Sequence, residues 1–170
     1  KVMQASGFLM ELVNNVLNMN KLESGEMKPE NKPFDLIELL KETTSIVEMQ
    51  GQEYAIHFQM QMGKHKYRHL IGSPLYLKQV LQNIGGNAVK YNRAGGAVTF
   101  ASEDVAYPDG RVVVKFTCTD TGRGMSREFL AHAFEPFSQE RNDSGSTQQG
   151  IGLGMSIVKG LIEKMGGTIK

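Results

Sequence analysis

The polar residues of one predicted helix are the first sign of chemistry in this 170-residue chain. Four of them recur at helical spacing, directly beside an apolar stripe rather than opposite it: Gln79, Asn83, Asn87 and Lys90. Carboxamide oxygens are hard ligands that suit a hydrated Mg²⁺ ion, and a lysine one turn later suits phosphate. The pattern indicates a polar lining beside a core. A helix with a few harmless polar positions is an equal alternative.

A carboxylate at the end of a predicted strand is the second candidate. Asp120 is followed by glycines at alternate positions, Gly122 and Gly124, which leave the backbone open to a flat ligand. An ionised carboxylate only accepts hydrogen bonds, so its natural small-molecule partner is an exocyclic amine such as that of adenine. Taken alone, the stretch fits better a tight turn in which Asp120 caps a helix that starts at Ser126.

Glycines before a third predicted helix suit phosphate. Gly150, Gly152 and Gly154 precede an apolar pattern that ends at Met165, so free N–H groups at the helix start can face an anion. The polar run Ser138–Gln149 comes directly before them and predicts a solvated lid loop. No leading strand makes this a dinucleotide fingerprint, and the Gly-Lys-Ser/Thr phosphate loop is absent.

The remaining patterns predict the elements that hold these residues. Residues 1–26 carry the seam of a helical bundle, which needs a partner helix: Val2, Ala5, Leu9, Leu12, Val16 and Met19. Asp35 and Glu38 predict the start of a helix that Gly51 ends. Its buried side comprises Leu36, Leu39, Leu40, Thr43 and Val47.

Strands are predicted over 54–62 and 67–71, and a hairpin turns at 108–110. Ser73 and Pro74 predict the N-cap and first residue of the helix that carries the asparagines, and its apolar stripe comprises Leu77, Leu81, Ile84 and Ala88.

Composition limits the class of protein. The net charge of +1 gives no case for nucleic acid or a membrane surface, and no apolar run is long enough to span a bilayer. Cys118 is the only cysteine, which indicates a reduced compartment and an inert, buried thiol. Because the chain starts within a helical pattern and stops at an apparent strand, we expect it to be part of a longer protein.

Together, the order and spacing of these stretches resemble the ATP-binding catalytic domain of sensor histidine kinases, within the ATPase superfamily of gyrase B and related chaperones. The carrying motifs are the N box Asn83–Tyr91, the first glycine box Asp120–Met125, the F box Phe134–Phe137 and the second glycine box Gly150–Gly154. The resemblance implies an α+β fold, the two-layer α/β sandwich called the Bergerat fold. It has a mixed, mainly antiparallel sheet with helices on one face, preceded by one N-terminal bundle helix.

The resemblance also implies domain boundaries. Residues 1–27 are similar to the second helix of a dimerisation and phosphotransfer domain, 28–33 form a linker and 34–170 form the catalytic domain, truncated in its last strand. The expected partners are ATP, the protein's own phosphotransfer domain in a homodimer, and a response regulator. The implied location is cytoplasmic, with the full-length protein anchored to a membrane.

By the same resemblance, the cofactors are ATP and Mg²⁺. The implied catalytic residues are Asn83, Asn87 and Lys90, with Asn87 as the metal ligand. Nucleotide contacts are expected from Asn83, Asn87, Lys90, Tyr91, Asp120, Gly122, Gly124, Met125, Phe137, Gly150, Gly152, Leu153 and Gly154. Phe134 and Phe137 would anchor the base of the lid.

The implied reaction transfers the γ-phosphoryl group of ATP to a histidine, which then serves a response-regulator aspartate. The acceptor is expected upstream of this chain, because His57, His65, His69 and His132 lie outside any acceptor motif. Gln139 stands where many relatives carry arginine, and Gly85-Gly86 is costly within a helix. Two alternatives are an ATP-hydrolysing clamp, disfavoured because Asn83 replaces its general-base glutamate, and a degenerate docking module.

Overall fold

The structure is a computed structural model that describes residues 2–140 and 151–170, without the side chains of 2–8 and 11. Its helices are α1 (Val2–Glu23), α2 (Leu36–Gln52), α3 (Pro74–Lys90), α4 (Arg127–Leu130) and α5 (Gly154–Lys164). Its strands are β1 (Lys32–Asp35), β2 (His57–Met62), β3 (His69–Gly72), β4 (Ala97–Ala106) and β5 (Val113–Asp120). The chain forms two compact units, described separately below: a sheet unit, Glu30–Gly124, and a helical unit, Lys1–Pro29 with Met125–Lys170.

The sheet unit contains a mixed three-stranded sheet in the order β2-β4-β5. β2 runs parallel to β4, and β4 runs antiparallel to β5. The hairpin between β4 and β5 turns at Pro108–Gly110, as predicted from the sequence, and Asp109 and Gly110 both have positive φ there. A second pair, β1 with β3, is antiparallel. The α+β class with mixed pairing is therefore confirmed.

Helix α2 confirms the predicted burial pattern. The Asp35 side chain accepts a hydrogen bond from the Glu38 N–H, and all five residues of the predicted buried side are buried. The helix continues one residue past Gly51, and a turn with Ala55 at φ 53° follows. The next strand therefore begins at His57 rather than at Tyr54, and β3 likewise begins at His69 rather than at Tyr67.

Two expectations for α3 are corrected. Leu81 and Ala88 are buried as predicted, but Leu77 and Ile84 are only half-buried. The rest of the buried face comprises Tyr76, Val80, Gly85 and Val89. Ser73 holds the N-cap position without capping the helix, because its hydroxyl instead accepts from the backbone N–H of Glu30 at 3.2 Å.

Gly85 explains how closely α3 packs on its neighbours. A Cβ at this position would lie 2.6 Å from Val47 Cγ2 and 3.1 Å from Phe100 Cζ, both too close. A Cβ at Gly86 would meet only the Gln50 side chain, at 3.9 Å. The first glycine therefore brings α2, α3 and β4 together, and the second has no such packing role.

The helical unit contains α1, α4 and α5. A Cβ at Gly160 of α5 would lie 3.2 Å from Leu22 Cδ1, so the two helices are in contact near the end of α1. Earlier in α1, five apolar side chains are exposed: Leu9, Met10, Val13, Val16 and Leu17. Of the predicted seam, Leu9 and Val16 are thus exposed, whereas Leu12 and Met19 are half-buried. None of the described helices is long and apolar enough to cross a bilayer. The domain boundaries at 27 and 34 stay a prediction.

Candidate functional site

The asparagine-bearing face of α3 is half-buried, as expected of a lining. Asn83, Asn87 and Lys90 are all of intermediate exposure. The amide nitrogen Nδ2 of Asn83 is buried and has no hydrogen-bond acceptor among the described residues. Leaving a buried donor unpaired costs about 1–3 kcal/mol, so it fits a position whose partner is a polar ligand.

The end of α3 is in direct contact with the first glycine box. A Cβ at Gly122 would lie 2.6 Å from the carbonyl oxygen of Tyr91, and the Arg123 N–H donates to the same oxygen at 3.3 Å. Backbone therefore fills the space that a side chain at Gly122 would need, which requires glycine at this position. Gly124 differs, since it has φ 69° and open space around its Cβ position.

A network of hydrogen bonds that sequence reasoning missed supports this contact. Asn92 Oδ1 accepts from the Thr121 hydroxyl at 3.1 Å, and Asn92 Nδ2 donates to the Ala97 carbonyl at 3.0 Å. The Ala97 N–H in turn donates to Thr121 Oγ1 at 2.9 Å. Because Asn92 directly follows the N box and Thr121 directly follows Asp120, this network fixes the two motifs against each other. The only signal in the sequence is that a polar residue follows the N box and another lies within the first glycine box.

Asp120 is exposed at the last position of β5, paired with Val98. Its Oδ1 accepts from the Gly122 N–H at 2.8 Å, and its other oxygen has no donor among the described residues. The alternative in which Asp120 caps the next helix is wrong, since the Ser126 hydroxyl accepts from the Phe129 N–H and caps α4. Asp120 is thus oriented by its own turn and free to accept from a ligand.

The start of α5 lies in the helical unit. Gly152 has φ 76°, and a Cβ there would lie 2.7 Å from the Ser138 carbonyl oxygen, so the second glycine box packs on the backbone after the F box. Leu153 is buried and provides no side-chain cap to α5, whose first N–H groups lack helical acceptors. That end suits phosphate. Gly150 and residues 141–149 of the predicted lid lie outside the described residues.

The F box differs from the expectation that both of its phenylalanines anchor the base of the lid. Phe134 is half-buried, but Phe137 is 65% exposed and has φ 61°, a strained conformation for a side chain of this size. Phe137 is therefore not anchored by burial within the part of the chain that the structure describes. Met125 is also exposed.

The histidines and the cysteine stay outside this site. Both ring nitrogens of His65 face polar partners, Asp104 Oδ1 at 2.8 Å and Ser102 Oγ at 3.0 Å. His132 Nδ1 lies 2.9 Å from Glu135 Oε1 at an exposed position. Burial, and to a lesser degree the nearby charge of Asp120, raise the pKa of the Cys118 thiol to about 12, so it stays protonated and inert.

Known proteins similar to this chain are sensor kinases. "Sensor histidine kinase GacS" of Pseudomonas protegens is 34% identical over 95% of the chain, which spans only 17% of that relative. "Hybrid signal transduction histidine kinase A" of Dictyostelium discoideum is 31% identical over 99% of the chain and 8% of its own length. A solved structure described as full-length ShkA in complex with AMPPNP has 27% identity and a TM-score of 0.80, over 96% of this chain and 32% of that one.

Residues 72–170 match the family described as "Histidine kinase-, DNA gyrase B-, and HSP90-like ATPase". The match contains α3, the glycine box after β5 and the start of α5, and so includes the candidate site residues of both units. More than half of the chain is covered. The chain therefore belongs to the family of histidine kinase-, DNA gyrase B- and HSP90-like ATPases.

Proposed function

We propose that this chain is the ATP-binding catalytic region of a sensor histidine kinase. In this proposal it transfers the γ-phosphoryl group of ATP to a histidine of the protein's own phosphotransfer domain, for relay to a response-regulator aspartate. The observation that carries the proposal is the contact of the Tyr91 carbonyl with Gly122, which holds the amide-lined helix beside Asp120. Similarity to sensor histidine kinases over almost the whole chain supports it.

In the sheet unit, Asp120 is proposed to accept a hydrogen bond from the exocyclic amine of adenine, because its second oxygen has no donor among the described residues. Gly124 leaves open space where the ring can approach. Asn83 and Asn87 present amides on the half-buried face of α3, and Lys90 and Tyr91 follow one turn later for phosphate oxygens.

The amide oxygens of this lining fit Mg²⁺, which takes hard oxygen ligands and keeps several of its waters. Asn87 would be the ligand, with Asn83 beside it; the ion would neutralise charge that develops on the phosphates. In the helical unit, the amides near Gly152, Leu153 and Gly154 would bind phosphate oxygens at the positive end of α5. Phosphoryl transfer depends mainly on such positioning and charge neutralisation.

The rest of the protein enters the proposal by analogy with the relatives. Residues 1–27 would belong to the dimerisation and phosphotransfer domain, and the exposed apolar side chains of α1 fit a homodimer contact in the full-length protein. A cytoplasmic location is part of the same proposal. The AMPPNP in the ShkA structure is an ATP analogue, which supports ATP as the ligand.

Calorimetric titration with ATP in excess Mg²⁺ tests this proposal. Asn87→Ala removes the proposed metal ligand and should weaken binding roughly tenfold or more, by comparison with other metal sites. Asn14→Ala, at an exposed position of α1, is the matched control and should bind as the unchanged chain does. If Asn87→Ala also leaves the affinity intact, or the unchanged chain binds no ATP, the proposal is wrong.

A further inference from the structure

The ring of Tyr91 has two cationic neighbours. The Lys90 ammonium lies 5.4 Å from the ring centroid, and the Arg123 guanidinium carbon lies 4.7 Å from it. Both distances are within cation–π range. The two charges are therefore separated by no more than roughly one Debye length, about 10 Å at 0.1 M salt, so both contribute to the positive potential around the Tyr91 ring.

Neither cation is neutralised within the part of the chain that the structure describes. The ion pairs there involve other basic residues, and neither Lys90 nor Arg123 is among them. Solvent-exposed arginines commonly extend into water without ordered contacts. Arg123 differs, because its backbone N–H donates to the Tyr91 carbonyl while its side chain lies over the Tyr91 ring. The guanidinium is thus held in place beside a second positive charge.

We propose that Arg123 is a further anion-binding residue of the nucleotide site and that, with Lys90, it binds the phosphates of ATP. This inference rests on the proposed function, because the anion is the phosphate chain of the nucleotide that Asp120 and Asn87 would hold. An arginine fork binds phosphate oxygens through paired N–H groups. Stacking on Tyr91 removes side-chain freedom before binding, so less ordering is needed when the phosphates arrive.

The competing explanation is that Arg123 only stabilises the packing of the glycine turn on Tyr91. The two explanations predict different effects of an Arg123 substitution on the affinities for ATP and for adenosine. An arginine that binds phosphate contributes to ATP and not to adenosine, which lacks phosphate. An arginine that only stabilises the turn also holds Asp120 in place. Its removal therefore weakens the binding of ATP and of adenosine equally and lowers the thermal unfolding temperature.

Three variants separate these cases. Arg123→Gln keeps a planar polar group but removes the charge, Arg123→Lys keeps the charge, and Arg111→Gln removes an exposed arginine after the hairpin turn as the matched control. ATP affinity is measured by calorimetry at two salt concentrations and adenosine affinity by ligand-observed NMR. The thermal unfolding temperature is recorded for every variant.

Arg123→Gln should weaken ATP roughly tenfold or more, as expected for a lost charge-assisted contact, with adenosine affinity and the unfolding temperature unchanged. The salt dependence of ATP binding should fall, and Arg123→Lys should recover much of the loss. Unchanged ATP affinity in Arg123→Gln overturns this inference alone, and so does an equal loss for ATP and adenosine. If the unchanged chain binds no ATP, the proposed function fails and this inference fails with it.

Discussion

Asn83 combines a stability cost with a place in the candidate site. Its Nδ2 is buried with no acceptor among the described residues, which costs about 1–3 kcal/mol relative to a paired amide. An apolar side chain would pack there without that penalty. A carboxamide on this face of α3 is what a polar ligand site requires. The buried, unpaired amide also distinguishes this face from an ordinary helix surface.

Asp104, outside the site, also has a buried side chain, and its polar atoms have partners. Burial raises the pKa of its carboxyl, but hydrogen bonds from His65, the Lys66 N–H and Tyr107 outweigh that effect and lower the pKa below its ordinary value of 3.8. These bonds join the segment after β2 to the end of β4. The charged form is thus stabilised by folding, and this contribution is present above the ordinary carboxyl pKa.

Asp104→Asn should lower the free energy of unfolding at pH 7 by roughly 1–3 kcal/mol, because it weakens bonds to a buried charge. As the pH falls through the lowered pKa of Asp104, the unchanged chain loses the same contribution, so the two proteins should converge. Urea unfolding at pH 7 and below pH 3.8 measures both values. If the difference in free energy of unfolding between the unchanged chain and Asp104→Asn stays constant with pH, the charge of Asp104 does not cause the stabilisation.

At the scale of elements, the pairing of α2 with α3 depends on a glycine. Gly85 lacks the Cβ that would overlap Val47, a β-branched side chain with little freedom to move aside. At Gly86, its neighbour on α3, a Cβ would make only an ordinary contact of 3.9 Å with the Gln50 side chain. The pair therefore offers two chemically identical substitutions in one helix with opposite expected effects.

Gly85→Ala should destabilise the chain by about 1–3 kcal/mol, the usual cost of overpacking a core. Gly86→Ala should be neutral or stabilise it by up to about 1 kcal/mol, because alanine is the better helix former. Chemical denaturation of both variants beside the unchanged chain measures the contrast. Equal effects from the two substitutions would refute the packing role assigned to Gly85.

Sequence patterns correctly predicted the elements in which apolar residues recur at one regular spacing. The buried side of α2 and the turn at Asp109 and Gly110 are examples, since local periodicity and turn chemistry determine them. The patterns failed where contacts distant in sequence decide the outcome. Ser73 bonds to Glu30 instead of capping α3, and the burial of α3 centres on Val80, Gly85 and Val89 because α2 lies across it.

The site was predictable in its residue types but not in how they are held. Asp120 and Asn87 were identified from their chemistry and the family resemblance, and their roles stay predictions. The network of Asn92 and Thr121 was missed because neither residue belongs to a periodic pattern. The contact of Gly122 with the Tyr91 carbonyl was also missed, because only the folded chain brings these two segments together.

At the scale of the whole molecule, the proposed reaction needs an acceptor that these residues do not offer. The chain contains four histidines, and none of them lies on the apolar seam of a described helix. His65 has both ring nitrogens in contact with polar partners, and His57 and His69 are exposed on strands. The chain is therefore expected to bind ATP without phosphorylating itself.

Incubation with Mg²⁺ and γ-labelled ATP should leave no acid-labile phosphoryl group on this chain. Addition of a phosphotransfer domain with an accessible histidine on its helix should produce labelling of that domain, because it supplies the acceptor. Mass spectrometry locates any phosphohistidine. Label on any of the four histidines of this chain would contradict the expectation.

In the proposed function, Asp120 recognises adenine beside an amide-lined phosphate site. Calorimetric titration with Mg-ATP and Mg-GTP tests it most directly, in the unchanged chain, in Asp120→Asn and in the control Asp109→Asn, whose turn position accepts asparagine. Adenine offers an amine where guanine offers a carbonyl oxygen. We predict at least tenfold tighter binding of ATP in the unchanged chain and in the control. In Asp120→Asn that preference should narrow or reverse, and a preference for ATP that persists there unchanged would contradict the account.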